Sequence, residues 1–389
     1  MVIQPQESRV LVFSQRNNVG ILPFRCAHFE FEDIVSEVDA VDIIAPQVNP
    51  SSHRHSIAKQ VAYHIPLVLN PGIKRTRIEK TYELFFMICG NPTDLLRLSA
   101  LGNWRARCRT AVCVIDELWV TQMDAYSNFL RMLKQFDVVM LYYSQSVEQL
   151  NKRIGGRCVY LPPAVDTIRF SPYPSAPDRV VDVYSVGRRS EITHRAILDM
   201  AETKGFLYLY DSTSADRVLH SSDHRALYAS LLKRSRYFIV NPGLIDRPDI
   251  RGSQIEIGYR YFDAAAAGAI MLGERPNNCE FESLFDWTDS MVDLPYDSID
   301  IEGVVSSLDR NPEKQMQMRQ CSARQALLRH DWVYRWESVL EAADIAPLQN
   351  IKMRKDRLRG LAEDVPPERA RQTNTSSRVE MASVPSLQN

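Results

Sequence analysis

Short apolar runs alternate with stretches of helical period along most of this chain. Arg9–Ser14 (RVLVFS) reads as a first buried strand, and a polar loop follows it to Gly20. Val41–Ala45, Leu67–Leu69, Leu84–Ile88, Thr110–Ile115, Val138–Tyr143 and Val159–Leu161 are further short apolar runs, with helical spacing over Met123–Phe136 and Ser146–Ile154. Strands alternating with helices predict a parallel α/β sheet. Leu161–Pro172 (LPPAVDTIRFSP) is punctuated by proline and reads as an interdomain linker. A second series then begins. Val180–Val186, Phe206–Tyr210, Tyr237–Val240 and Ala269–Leu272 are its strands, and Glu191–Lys204 and His224–Arg234 are helices. Two or three helices over 301–343 close the series. From about Lys352 the chain is first basic (KMRKDRLRG), then rich in Pro, Ser, Thr, Gln and Asn, a composition that predicts a disordered tail. The expected division is two Rossmann-like domains, 1–165 and 166–350, with a tail at 351–389.

Composition narrows the class without naming it. A chain of 389 residues suits two domains, and 45% hydrophobic residues can fill two cores. The formal charge is −1, without the basic excess of a general nucleic-acid binder, so no nucleic-acid partner is expected. The seven cysteines are scattered without a CxxC pair, which reads as reduced thiols in a cytoplasmic protein. The N-terminus shows no secretory leader, and no apolar run approaches the ~20 residues of a membrane span. Peripheral contact with the inner membrane face stays compatible with these features.

Candidate chemistry gathers at strand ends. Gly187-Arg188-Arg189 follows a strand and precedes a helix; the free N–H groups of such a turn, beside two arginines, suit a pyrophosphate. A solvated turn with Arg189 paired to Glu191 is the plainer alternative. Asn241-Pro242-Gly243 ends another strand on the same expected edge and could meet a nucleotide, though it is also ordinary turn chemistry. Arg247 and Arg251 lie in the following loop as candidate phosphate ligands. Glu256 and Asp263 are seven apart, which on one continuous helix sets both on one face, where carboxylates can bind vicinal hydroxyls. Two exposed helix charges would show the same spacing. Arg260 and Tyr261 are their neighbours. In the first half, Asn17, Asn18 and Gly20 occupy the loop after the first strand. Asp116 and Glu117 follow TAVCVI as candidate catalytic carboxylates, or as a helix cap, and Glu256 is a third candidate catalytic carboxylate. No Asp-x-Asp motif ends a strand, no Walker loop, GxSxG or HExxH is present, and no metal is expected.

The strip Arg251–Glu274 (RGSQIEIGYRYFDAAAAGAIMLGE) resembles the signature region of GT-B glycosyltransferases of the group 1, family 4-like clan. There a carboxylate precedes a small-residue helix that ends in glycine and runs into a strand. The GRR turn, AVDTIRFSP and HDWVYRWESVL resemble the same family more weakly, and a spore-maturation-like bacterial branch fits best. The resemblance implies two Rossmann-like domains facing a cleft. It implies sugar transfer from a nucleoside-diphosphate-sugar, with retention, without metal and with no cofactor besides that substrate. The acceptor could be a glycan, a lipid-linked intermediate, a small molecule or a protein. It also implies donor contacts at Gly187, Arg188, Arg189, Asp263 and the helix ended by Gly268. Counted back from Gly268, Asp263 takes the place of the family's second Glu. The first Glu falls on Ile255, one residue before Glu256. A nucleotide-sugar epimerase on the same fold, or a non-catalytic nucleotide-sugar or glycan binder, are the rival readings.

Overall fold

A computed structural model describes residues 7–17, 22–47, 52–211 and 218–366. Asn18 and Gly20 lie outside the described residues.

The first half runs β1 (Val10–Phe13), α1 (Cys26–Val38), β2 (Val41–Ile44), α2 (Ser52–His64), β3 (Thr76–Arg77), β4 (Tyr82–Cys89), β5 (Leu101–Gly102), β6 (Cys108–Ile115), α3 (Ser127–Met132), β7 (Val138–Leu141), α4 (Val147–Ile154) and β8 (Cys158–Tyr160). Six of these strands form one parallel sheet in the order β2-β1-β4-β6-β7-β8, while β3 and β5 pair separately. β4 and β6 form its centre; seven of the eight residues of β4 are buried, so the strand reads as a continuous apolar run rather than an alternation.

The linker contains a short helix, α5 (Thr167–Phe170), capped by the Asp166 side chain. The second half continues through β9 (Val181–Ser185), α6 (Glu191–Lys204), β10 (Tyr208–Tyr210), α7 (Ser221–Lys233), β11 (Ser235–Ile239), α8 (Pro248–Arg251), α9 (Tyr259–Ala267), β12 (Ile270–Gly273), α10 (Cys279–Leu284), β13 (Val292–Asp293), α11 (Ile301–Asp309), α12 (Pro312–Arg329), α13 (Trp332–Ala342) and α14 (Gln349–Glu363). Its sheet is parallel in the order β10-β9-β11-β12-β13. The alternating apolar runs thus become two parallel sheets. Gly268 ends α9 in the left-handed region at φ 60, and Ala269 N–H reaches back to the Ala264 carbonyl at 3.0 Å.

Four expectations need correction. Leu67–Leu69 is not a strand: Pro66 and Pro71 bracket it, and Leu67 is 49% exposed. The expected helix over 123–136 is broken into 3-10 turns around α3. Most important, the tail does not begin at 351. α14 is a packed helix with Ile351, Leu358 and Ala362 buried, and Val365 beyond it is buried too. Residues 367–389 lie outside the described residues. Nor do the last helices stay with the second half, since α13 and α14 join the core on the α1 face of the first sheet. Trp332 stacks on Phe31 with ring centroids 4.5 Å apart, and Trp336 packs edge-on against Phe86. Trp332, Trp336 and Leu340 share one buried helix face, as their spacing predicts.

A buried ionic network ties the halves together. Arg225 on α7 holds Glu30 of α1 through two bonds of 2.8 and 2.9 Å, and Asp263 of α9 at 2.8 Å. Glu30 also accepts from the Asp166 N–H and the Trp332 indole. Arg354 of α14 bridges Asp331, Asp166 and Glu37.

Candidate active site

The carboxyl ends of the two parallel sheets face each other, the place where open α/β sheets bind ligands. A Cβ added at Gly243, just after β11, would sit 3.5 Å from the Tyr143 hydroxyl and 3.6 Å from the Trp119 ring. Both of those side chains follow strands of the first sheet.

On the first side, β6 delivers Asp116 and Glu117. Asp116 Oδ2 lies 2.7 Å from His28 Nε2, and both residues are buried. His28 packs between the rings of Phe24 and Tyr259, so a residue of α9 reaches across to it. The sequence gives no sign of this pairing: His28 is a lone histidine 88 positions from its partner. Glu117 accepts from the Trp119 indole at 2.7 Å, and burial pushes its carboxyl above the usual range. Asn17 donates its side-chain amide to the Ala45 carbonyl at 2.9 Å, which ties the start of its loop to the end of β2.

Behind Asp116, the floor holds a second buried cluster. Asp94 is gripped by Arg25 and Arg97 and accepts from the Gly90 N–H, and the two guanidiniums keep its carboxyl far below the ordinary range.

On the second side, β9 ends in the GRR turn. Gly187 has φ 75, a conformation that favours glycine, and its N–H donates to Asp211 at 2.9 Å. Arg189 pairs with Asp211 at 2.9 Å and lies over the Tyr210 ring; Glu191, its sequence-expected partner, holds Arg195 instead. Arg188 pairs with Asp246 at 2.9 Å, both partly exposed, and its charge reaches Glu117 across the cleft. Arg260, the second residue of α9, donates to the Val186 carbonyl at 2.8 Å. This brings Arg188, Arg189 and Arg260 to one strand end. Arg251 ends α8, with a buried Nε that has no partner among the described residues. Beside the turn, Ser190, Thr193, Asn241 and Tyr296 help line a small hollow between β9, β11 and β12.

Other expected contacts fall elsewhere. α9 begins only at Tyr259, after Gly258, so Glu256 and Asp263 do not share a helix face. Glu256 instead crosses to the first half, where its carboxylate accepts from the Ser144 and Gln145 N–H groups at 3.0 and 3.2 Å, and from Gln254. Burial pushes that carboxyl up to about 7. Asp263 is buried against Arg225, so its carboxylate does not face an open ribose position; burial pushes it up to about 6 against the pull of that arginine. Tyr261 is core, packed on Phe281 and Phe285 with its hydroxyl on the Glu274 carbonyl. Asn241 Oδ1 accepts from the Glu274 N–H at 3.0 Å, locking the ends of β11 and β12 together. A Cβ at Gly268 would lie 3.0 Å from the Arg319 carbonyl, so this glycine serves helix packing. Among the described residues, no group of three or more His, Cys, Asp or Glu is placed to hold a metal ion.

Comparison with solved structures bears on the fold. The N-terminal domain of Candida albicans trehalose-6-phosphate phosphatase superposes with a TM-score of 0.55 at 8% identity, covering 88% of this chain and 98% of that one. An alpha-glucosyltransferase solved with UDP-glucose and DNA containing an abasic site gives 0.51 at 9% identity, covering 87% and 100%. The fold is GT-B. Residues 211–341, most of the second GT-B domain, match the family described as glycosyl transferase-like. A TarM variant from S. aureus, solved with UDP, matches at 10% identity with a TM-score of 0.46, and this chain spans 55% of its length. A search of curated proteins finds no match.

Proposed function

We propose that this protein is a glycosyltransferase that moves a sugar from a nucleoside-diphosphate-sugar to an acceptor held against the first domain. The observation that carries this reading is the opposition, across one cleft, of three arginines at a strand end and the buried His28–Asp116 pair. Arg188, Arg189 and Arg260 converge where a diphosphate would need fixed charge as the sugar bond breaks. Asp116 and Glu117 lie opposite, where the sugar and an acceptor hydroxyl would meet. His28 holds Asp116 in one orientation, as a positioning residue does. The glycosyl transferase-like match over residues 211–341, which include Arg260, supports the same reading. UDP-glucose, bound by a structural neighbour, is the first donor to try.

Retention of anomeric configuration, independence of metal and a glycan or lipid-linked acceptor rest on the family resemblance. So does a spore-maturation-like branch. The test is binding and turnover of UDP-, GDP-, ADP- and dTDP-sugars by the full chain, with product anomers read by NMR and reactions repeated in EDTA. The reading predicts saturable binding of one nucleotide class and release of its nucleoside diphosphate when an acceptor is supplied. Epimerised donor without any acceptor would replace it with the epimerase reading. No binding of any nucleotide sugar would end it.

A further inference from the structure

The Asp116 carboxylate is held from one side. Its Oδ2 meets His28 Nε2, and among the described residues no hydrogen bond reaches its Oδ1. Two tyrosines stand beside it. Ile115 pairs with Leu141 across β6 and β7, so Asp116 and Tyr142 leave adjacent strands at the same level, and the Tyr142 N–H donates to the Ile115 carbonyl at 3.1 Å. Tyr259 comes from the other half as the first residue of α9. Its ring meets Tyr142 edge-on with centroids 5.8 Å apart, and lies 6.2 Å from the His28 ring.

The two phenol hydroxyls are buried and lie near each other. Neither completes a hydrogen bond, with its neighbour or with any other described residue. Burial first, and then the negative charge of Asp116, push both phenols well above their ordinary range, so each stays an O–H donor. Phenylalanine would fill the same space without burying an unpaired hydroxyl, an arrangement that costs stability. Two such hydroxyls side by side, next to a candidate catalytic carboxylate, are better explained by function than by packing.

The chain neighbour of Tyr259 reaches the opposite way. Arg260 bonds the Val186 carbonyl, and a Cβ added at Gly187 would sit 3.7 Å from its Nη1. Consecutive residues at one helix start therefore meet the arginine-bearing turn and the His28–Asp116 pair.

We propose, on the glycosyltransferase reading of the cleft, that Tyr259 is a positioning residue that couples nucleotide binding to Asp116. A diphosphate held by Arg260 draws on the start of α9, and the Tyr259 hydroxyl, with that of Tyr142 beside it, closes onto the second oxygen of Asp116. Hydrogen bonds of this kind are commonly long in the free protein and tighten in the complex. Fixed through both oxygens, the carboxylate meets the reacting sugar in one orientation. Tyr259 acts through Asp116 and not on the substrate.

The experiment compares the full-length wild type with Tyr259→Phe, which keeps the ring and removes only the hydroxyl. The probes are UDP-, GDP-, ADP- and dTDP-sugars. Three readouts are taken: melting temperature, the shift of the His28 ring signal in NMR on nucleotide-sugar binding (assigned with His28→Gln), and the kinetics of nucleoside-diphosphate release. In Tyr259→Phe, KM for the nucleotide sugar should stay within about twofold while kcat falls roughly tenfold or more, the loss of one hydrogen bond to a charged group. The His28 shift seen in the wild type should disappear, and the melting temperature should hold or rise. An unchanged kcat, a loss confined to KM, or an equal His28 shift in both proteins overturns the proposal and leaves the reading of the cleft standing. A melting temperature several degrees lower does the same, because the hydroxyl would then be structural. A wild type that binds none of the four nucleotide sugars overturns the reading and the proposal together.

Discussion

At the scale of single residues, position in the cleft separates ligand-facing groups from structural ones. Arg188 is the proposed phosphate contact that is most open: its pair with Asp246 is half-exposed, and such pairs are worth only about 0–1 kcal/mol, little for a competing diphosphate to overcome. Arg188→Ala should weaken nucleoside-diphosphate binding by about 1.5–3 kcal/mol, roughly tenfold or more, with an unchanged melting temperature. Calorimetric titration checks this, and wild-type affinity would remove the turn from the site. Asp263→Asn should do the reverse. Breaking a buried charge pair commonly costs ~3–5 kcal/mol, so the melting temperature should drop markedly, while nucleotide affinity of the folded fraction holds. A variant as stable as the wild type but unable to bind nucleotide would return Asp263 to the donor site. Glu256 gives a pH signature. Its folded value of about 7 lies above the ordinary carboxylate range, so the native state keeps this proton longer than the unfolded chain. The stability it contributes is present below the ordinary range and is lost as pH rises toward about 7. In Glu256→Gln that loss disappears, so melting temperatures at about pH 5 and about pH 8 should lie closer together than in the wild type. An identical pH profile would refute the assignment.

At the scale of elements, α14 is where composition misleads. Its charged stretch looks like a solvated tail, yet Ile351, Arg354, Leu358 and Ala362 recur every three or four residues and form one buried stripe. Arg354 adds bonds to Asp331, Asp166 and Glu37. A chain ending at 350 loses the burial of three aliphatic side chains, Ile351, Leu358 and Val365, each worth ~1.5–3 kcal/mol, and leaves Asp331 buried without its arginine. It should melt several degrees lower or fail to accumulate as soluble protein, whereas a chain ending at 366 should melt like the full chain. Equal stability of both truncations would show that α14 does not dock. α9 gives a second lesson at this scale. Its alanines and Gly268 are legible as a thin helix with a glycine stop, but its start is not, because Gly258 resets the backbone two residues after Glu256.

At the scale of the whole molecule, two main connections join the sheets. One is the linker with its buried network around Glu30, Arg225 and Asp166. The other is the return of α13 and α14 onto the first sheet. Glu256 and Gln254 add a latch across the mouth, bonding the Ser144, Gln145 and Val120 N–H groups. The sequence by itself determined the two parallel sheets, the strand-end position of the GRR turn and the glycine stop of α9, because hydrophobic period and turn chemistry are local. Only the tertiary structure decided which carboxylates face the cleft. His28 meets Asp116 across 88 positions, Asp263 turns inward to Arg225, and Glu256 spans to a turn more than a hundred residues earlier. Those pairings depend on how two sheets and the returning helices stack. A charge's neighbours in space are set by that packing, and no spacing along the chain encodes them.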